Sequence, residues 1–277
     1  MFEIMMRNIV SLIFSVIALT VVSINPAFSA GMPANLIGVW QVRSVHLNTG
    51  VGRATEYQWD DPRLTGRIFR FGSDEISDDA LRFGDKCENV KVESVDVTFP
   101  DLIRRSLGGY VGEAGNPIDD YKLPLEGNKK YSAMTFNCKN GPWQGDLGNT
   151  LPQGIKGAWI VSSGGDLYLR WRDETILILS KIDLQAKVDA SFDCSKATVR
   201  AERAICNSYQ LGALDNSIHN AYVRLLRQIR SGGGSISEIS KNQRTWTAQR
   251  NACGNVSKCL NSVMMDRLQW LGEQLQN

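Results

Sequence analysis

Histidine is almost absent: His46 and His219 are the only two in 277 residues. No GxSxG accompanies them, so a serine nucleophile lacks both its strained turn and an obvious base. No two cysteines stand as CxxC, the spacing of redox-active pairs and of most structural zinc sites. Gly50, Gly52, Gly112, Gly115 and Gly145 form no phosphate-cradling pattern ahead of a helix. Beyond Val22 no apolar run approaches the roughly 20 residues that a bilayer-crossing helix needs. Basic and aromatic residues are not interleaved as a nucleic-acid surface requires. These absences argue against serine hydrolysis, thiol redox chemistry, a metal or nucleotide cofactor, and nucleic-acid binding. One carboxylate pair, Asp173-Glu174, lies between two strand candidates, where it suits either glycoside chemistry or an ordinary hairpin turn.

What is present starts with an export pattern. Arg7 precedes an almost uncharged apolar run, Ile9 to Val22, and then Pro26-Ala27-Phe28-Ser29-Ala30. Basic, hydrophobic and small residues in that order read as a signal peptide over residues 1–29, with cleavage after Ser29. The product is expected in the periplasm or secreted, with no membrane span once the signal is removed. Six cysteines follow: Cys87, Cys138, Cys194, Cys206, Cys253 and Cys259. An even count in an exported chain suits disulfides. Fifteen pairings are open, and spacing favours Cys194–Cys206, Cys253–Cys259 and the long closure Cys87–Cys138. Zinc is the competing use of these thiols.

Two periodicities divide the rest. From residue 30 to 187, short alternating runs are separated by Gly, Asp and Pro turns, which argues an antiparallel, barrel-like β domain. Trp40, Val42 and Ser44 share one parity, with Arg43 and Val45 on the other. Val90 to Phe99 alternates with a slip at Glu93-Ser94, read as a β-bulge. Leu167, Leu169 and Trp171 face oppositely to Tyr168, Arg170 and Arg172, and Thr175 to Leu179 is the most apolar strand. Pro100 to Gly127 reads as a long loop or short helix.

From 188 to 277 the period becomes helical. Leu214, Ile218, Tyr222, Leu225 and Ile229 mark one helix, stopped at Ser231-Gly232-Gly233-Gly234. Ser235 with Glu238 reads as a capping box for the next helix, whose buried edge is expected to include Ile236, Ile239, Trp246 and Arg250. Leu260 to Leu275 mark the last. A unit this small buries limited apolar surface, and its two short disulfide loops would each contribute about 2–3 kcal/mol. From Ser191 to Asn277 it carries eleven Lys and Arg against six Asp and Glu, a net of +5, while the β region is net acidic. The helical unit is thus the natural surface for an anionic partner, unless the charge is merely solvated. Asp215 is placed at the start of the long helix, Arg244 or Arg250 is a candidate to pair with it, and Trp246 is a candidate centre of the small core.

This helical unit resembles the lysozyme-inhibitor LprI-like N-terminal domain family. The resemblance rests on Phe192-Asp193-Cys194, Glu202 to Cys206, Leu214-Asp215, Ile218 and Tyr222. It continues through Gln243-Arg244, Trp246, Arg250, Cys253-Gly254, Cys259-Leu260 and Arg267-Leu268. Met264 and the triple glycine at 232–234 depart from the family pattern, as packing and loop changes. The resemblance implies lysozyme inhibition, although a net-positive unit meets a cationic lysozyme slowly, so the acidic β region would have to supply the attraction. Gly38 and Trp40 form a GxW opening similar to lipocalin-like barrels. That likeness implies a tryptophan packed against an arginine of a late strand, here Arg170 or Arg172. The expected function is noncatalytic binding of lysozyme or another envelope protein. Alternatives are capture of a small apolar or glycan ligand by the β domain, and an envelope enzyme using carboxylates.

Overall fold

The computed structural model describes residues 31–50, 55–81, 84–107, 115–145, 147 and 154–276. The signal-peptide reading, 1–29, lies outside the described residues.

The front of the chain builds one antiparallel sheet from β1 (Gly38–His46), β2 (Ile68–Phe71), β3 (Glu75–Asp78), β4 (Asp85–Glu88), β5 (Lys91–Thr98), β6 (Lys130–Cys138), β7 (Gly141–Pro142), β8 (Trp159–Ser163), β9 (Asp166–Arg170) and β10 (Ile176–Lys181). Its order is β4-β3-β2-β1-β10-β9-β8-β6-β5, with β7 on β6. The sheet curls. Phe71 of β2 and Phe136 of β6 are far apart in strand order, yet their ring centres lie 6.4 Å apart and both meet Trp143, at 6.2 and 5.7 Å. The Cys87–Cys138 disulfide ties edge strand β4 to the end of β6, and Lys139 N–H donates to the Glu88 carbonyl at 2.8 Å. The result is a curled antiparallel half-barrel.

Each face of the sheet has its own core. The concave side holds Trp40, Phe69, Phe71, Phe136, Trp143 and Trp171 with aliphatic residues from the same parity. The convex side is covered by α1 (Phe99–Ser106) and α2 (Pro117–Asp120) and the segments around them. The excursion after β5 is therefore a lid on the outer face, and it starts where Thr98 Oγ1 accepts from Asp101 N–H at 3.4 Å, capping α1.

Two strand readings need correction. β5 pairs with β6 without interruption from Lys91↔Asn137 to Thr98↔Lys130, so no bulge sits at Glu93-Ser94. Instead, the irregularity lies in β1 between Val42 and Ser44 against β10. It puts Val42 and Val45, not Val42 and Ser44, into the concave core. An extra residue in a strand reverses the side-chain alternation after it. β3 and β4, four residues each, were not foreseen; Ile76 and Cys87 are their only buried apolar side chains.

The tail is all helical after a 3-10 turn at Cys194–Lys196: α3 (Arg200–Cys206), α4 (Tyr209–Ser231), α5 (Ser237–Ala252) and α6 (Ser257–Gln276). Cys194–Cys206 and Cys253–Cys259 stabilise it, and all three disulfides follow the pairing that spacing favoured. Leu214, Ile218, Leu225, Leu260, Met264, Leu268 and Leu271 form a core made only of tail residues. The Ser235/Glu238 capping box is not formed. α5 begins at Ser237 after Ile236, and Ser235 Oγ accepts from Ser237 N–H at 3.3 Å. A back-bond of that kind occurs at α3, where the Glu202 carboxylate accepts from Val199 N–H at 3.4 Å.

The loop between β1 and β2 docks the tail. Ser217 Oγ donates to Thr65 O at 2.7 Å, Gln58 Nε2 to Leu275 O at 3.0 Å, and Arg224 to Trp59 O at 3.2 Å. Arg67 is fully buried beneath α4 and α6. Its NH2 donates to Ser217 Oγ at 3.2 Å, with Asp79 at 3.9 Å, and burial lowers its pKa. Gly66 (φ +85°) and Gly272 permit this approach. A Cβ on the first would lie 2.8 Å from Ser217 Oγ, and one on the second 2.5 Å from Arg63 Cδ.

Candidate functional site

Asp215 lies in the second turn of α4, buried, rather than at the helix start. Its Oδ2 accepts from Ser191 N–H at 2.9 Å and Ser191 Oγ at 2.6 Å, and its Oδ1 from Arg250 NH1 at 3.3 Å. The Arg250 guanidinium also lies 3.9 Å from Glu202. Arg250, not Arg244, supplies the partner, because Arg244 falls on the exposed side of α5. This buried network joins the segment entering the tail to α3, α4 and α5, and its role is to hold them together. Tyr222 is half-buried and its hydroxyl lies 3.4 Å from Ser240 Oγ.

Trp246 is buried in the tail's core and also lines a cleft beside it. Its Nε1 donates to Val263 O at 3.3 Å, and two guanidiniums lie over its ring, Arg250 at 5.7 Å and Arg267 at 5.5 Å. Arg267 also lies 4.4 Å from the centre of the Trp270 ring, so its guanidinium bridges two indoles. Its Nε and NH2 donate to Gln243 Oε1 at 3.1 and 2.6 Å, and NH1 donates to Asn242 Oδ1. Among the described residues no carboxylate lies within ion-pairing distance of Arg267, and burial pushes its pKa down to about 10. Beside it runs a cleft of about 300 Å³ between α5 and α6, lined by Trp246, Trp270, Arg267, Asn242, Gln249 and Asp266. Trp270 is half-buried beside the buried Trp246 and Arg267, and Trp and Arg are the residue types that dominate binding energy in protein interfaces. Trp270 and Asn242 were not singled out from sequence; Trp270 follows Arg267 at i+3, a helical-neighbour spacing.

A larger cleft, about 540 Å³, lies where half-barrel and tail meet, between β1, β10, α4 and the segment joining them. Arg43, Lys181 and Lys187 line it together with Asp183 and Asp189, so its walls carry both signs.

At the front, Trp40 Nε1 donates to Leu36 O at 2.8 Å, and the cation over its ring is Lys181, 5.5 Å from the centre. Neither expected arginine is the residue found there. Arg170 faces the other way and donates to Ile155 O and Gly157 O at 3.2 and 2.9 Å, and Arg172 donates to Gln144 Oε1 at 2.9 Å. Gly38 (φ +142°) allows the Lys181 chain to cross; a Cβ there would lie 2.7 Å from Lys181 Cε. His46 is buried. Its Nε2 lies 3.1 Å from Ser44 Oγ, its Nδ1 lies 2.7 Å from Tyr121 O, and burial lowers its pKa. Asp173 and Glu174 form the turn between β9 and β10, both with positive φ. Asp173 accepts from Glu56 N–H, and Tyr121 Oη donates to Glu174 O at 2.6 Å.

The chain is thus a curled antiparallel half-barrel followed by an all-helical region held by two disulfides. No family model, curated protein or solved structure matches it.

Proposed function

We propose that this is a noncatalytic binding protein of the periplasm or extracellular space, whose helical region meets a protein partner along the α5/α6 cleft. The observation that carries the reading is Arg267 held between Trp246 and Trp270 beside that cleft. The β1–β2 loop already occupies part of α4 and α6, which leaves α5 with its α6 neighbour as the open aromatic side. The resemblance to the LprI-like family names lysozyme as the first partner to test. The oxidised protein should lower the rate of lysozyme-driven cell-wall lysis at stoichiometric amounts, and Trp270→Ala should relieve that effect. Unchanged lysis over a wide excess removes lysozyme as the target.

The small-ligand alternative has less support. Trp40, Phe69, Phe136, Trp143 and Trp171 fill the concave side, so an apolar ligand would have to displace side chains there. For the carboxylate-enzyme alternative, Asp173 and Glu174 serve a tight turn.

A further inference from the structure

We infer that the α5/α6 cleft takes a carboxylate-bearing segment of an acidic partner protein; this rests on the binding reading above and names the chemistry of its partner. Arg267 is 5% exposed, and among the described residues its charge is met by the amide oxygens of Gln243 and Asn242 and by the faces of two indoles. A guanidinium has five N–H donors in a planar fork suited to a carboxylate. Three bonds to Gln243 and Asn242 leave donor capacity unspent. A desolvated cation compensated only by neutral dipoles gains more from an incoming anion than a solvated one does. The flanking indoles keep its plane fixed and shield it from water, which strengthens such a contact.

The surroundings agree in sign. The tail carries a net +5, so long-range attraction favours an acidic segment. Asp266 is the one carboxylate on the cleft's wall, and it sets a local repulsion that a mutation can remove. A cleft of about 300 Å³ is at the lower bound for small-molecule sites. It suits one or two side chains of a partner whose remaining contacts lie on the rim. A lysozyme meeting this cleft would have to present one of its own carboxylates there, with the acidic β region supplying the long-range attraction.

The test is fluorescence anisotropy of a labelled glutamate decapeptide titrated with the full oxidised chain, with a lysine decapeptide as the opposite-charge control. The glutamate peptide should bind and the lysine peptide should not. Arg267→Gln and Trp270→Ala should each weaken binding about fivefold or more, while Asp266→Asn should tighten it. Trp270→Ala, at a side chain that is only partly buried, keeps the result decisive if Arg267→Gln fails to fold. Equal binding by all variants, or equal binding of both peptides, overturns the inference. A protein whose binding is lost in Trp270→Ala yet is not displaced by the glutamate peptide also overturns it, and leaves the binding reading standing.

Discussion

Arg250 and Asp215, 35 residues apart, meet at 3.3 Å inside the helical region. Both are buried, and Ser191 fills the other carboxylate oxygen from the segment that enters the region. The pair fixes α5 against α4 although α5 itself buries little: only Trp246 and Arg250 are buried in it.

Arg250→Met should therefore destabilise the protein by about 3–5 kcal/mol, because Asp215 would remain buried without its cation. Replacing both with apolar residues should recover much of that loss. Urea unfolding of the two single variants and the double variant measures the coupling.

Gly66→Ala should destabilise by about 1–3 kcal/mol, since its φ disfavours an L-residue and the added methyl meets Ser217. The loss should appear first as faster hydrogen exchange in α4 and α6, where the β1–β2 loop docks, and only later in the half-barrel.

Asp78 gives a pH signature. Its Oδ1 accepts from Ala80 N–H at 2.9 Å, while Oδ2 is buried without a hydrogen bond among the described residues. Burial, with the charges of Asp85 and Asp79 adding to it, raises its pKa to about 7 from 3.8. A carboxyl whose folded pKa lies above its unfolded value binds protons on folding. Its contribution is thus most favourable below pH 4 and is lost as pH rises to about 7. Asp78→Asn should flatten that dependence, matching the parent near pH 4 and exceeding it at pH 8 by up to about 4 kcal/mol. Denaturant midpoints at the two pH values decide it.

The turn at Asp173-Glu174 joins β9 to β10 with two consecutive positive φ angles, 53° and 55°. Positive φ at consecutive turn positions favours Asn and Gly over other residues. Asp173→Asn keeps an acceptor for Glu56 N–H and should leave stability equal or about 0.5 kcal/mol higher, whereas Asp173→Val should lose about 2 kcal/mol. Thermal melts of the two variants should therefore move apart in a fixed order.

Much of the local structure was legible in the residues because side-chain alternation and helical period are local properties. β9 shows this: Leu167, Leu169 and Trp171 enter the concave core while Tyr168 faces the other. Two disulfides were legible for a similar reason, with separations of only 12 and 6 residues, and pairing them leaves Cys87 with Cys138. The β1 irregularity was not, because Val42 to Val45 alternates well in either register and only β10 decides which residue is extra. β3 and β4 are not legible in the sequence, because four-residue strands with one buried apolar side chain each carry almost no periodic signal. Asp215 was misplaced because α4 starts at Tyr209 on a Ser208 cap, a turn and a half before the apolar rhythm becomes clear.

By itself the sequence determined the division into a strand-built front and a helical tail, the parity of most strands, a favoured pairing among the six cysteines and the basic charge of the tail. These follow from residue spacing and count. Only the tertiary structure decided that Lys181 covers Trp40, that Arg250 holds Asp215, and that Arg267 lies between two indoles. Each is a choice among several cations, settled by which helix or strand packs against which. That choice comes from the summed burial of whole faces, and no short stretch of residues encodes it.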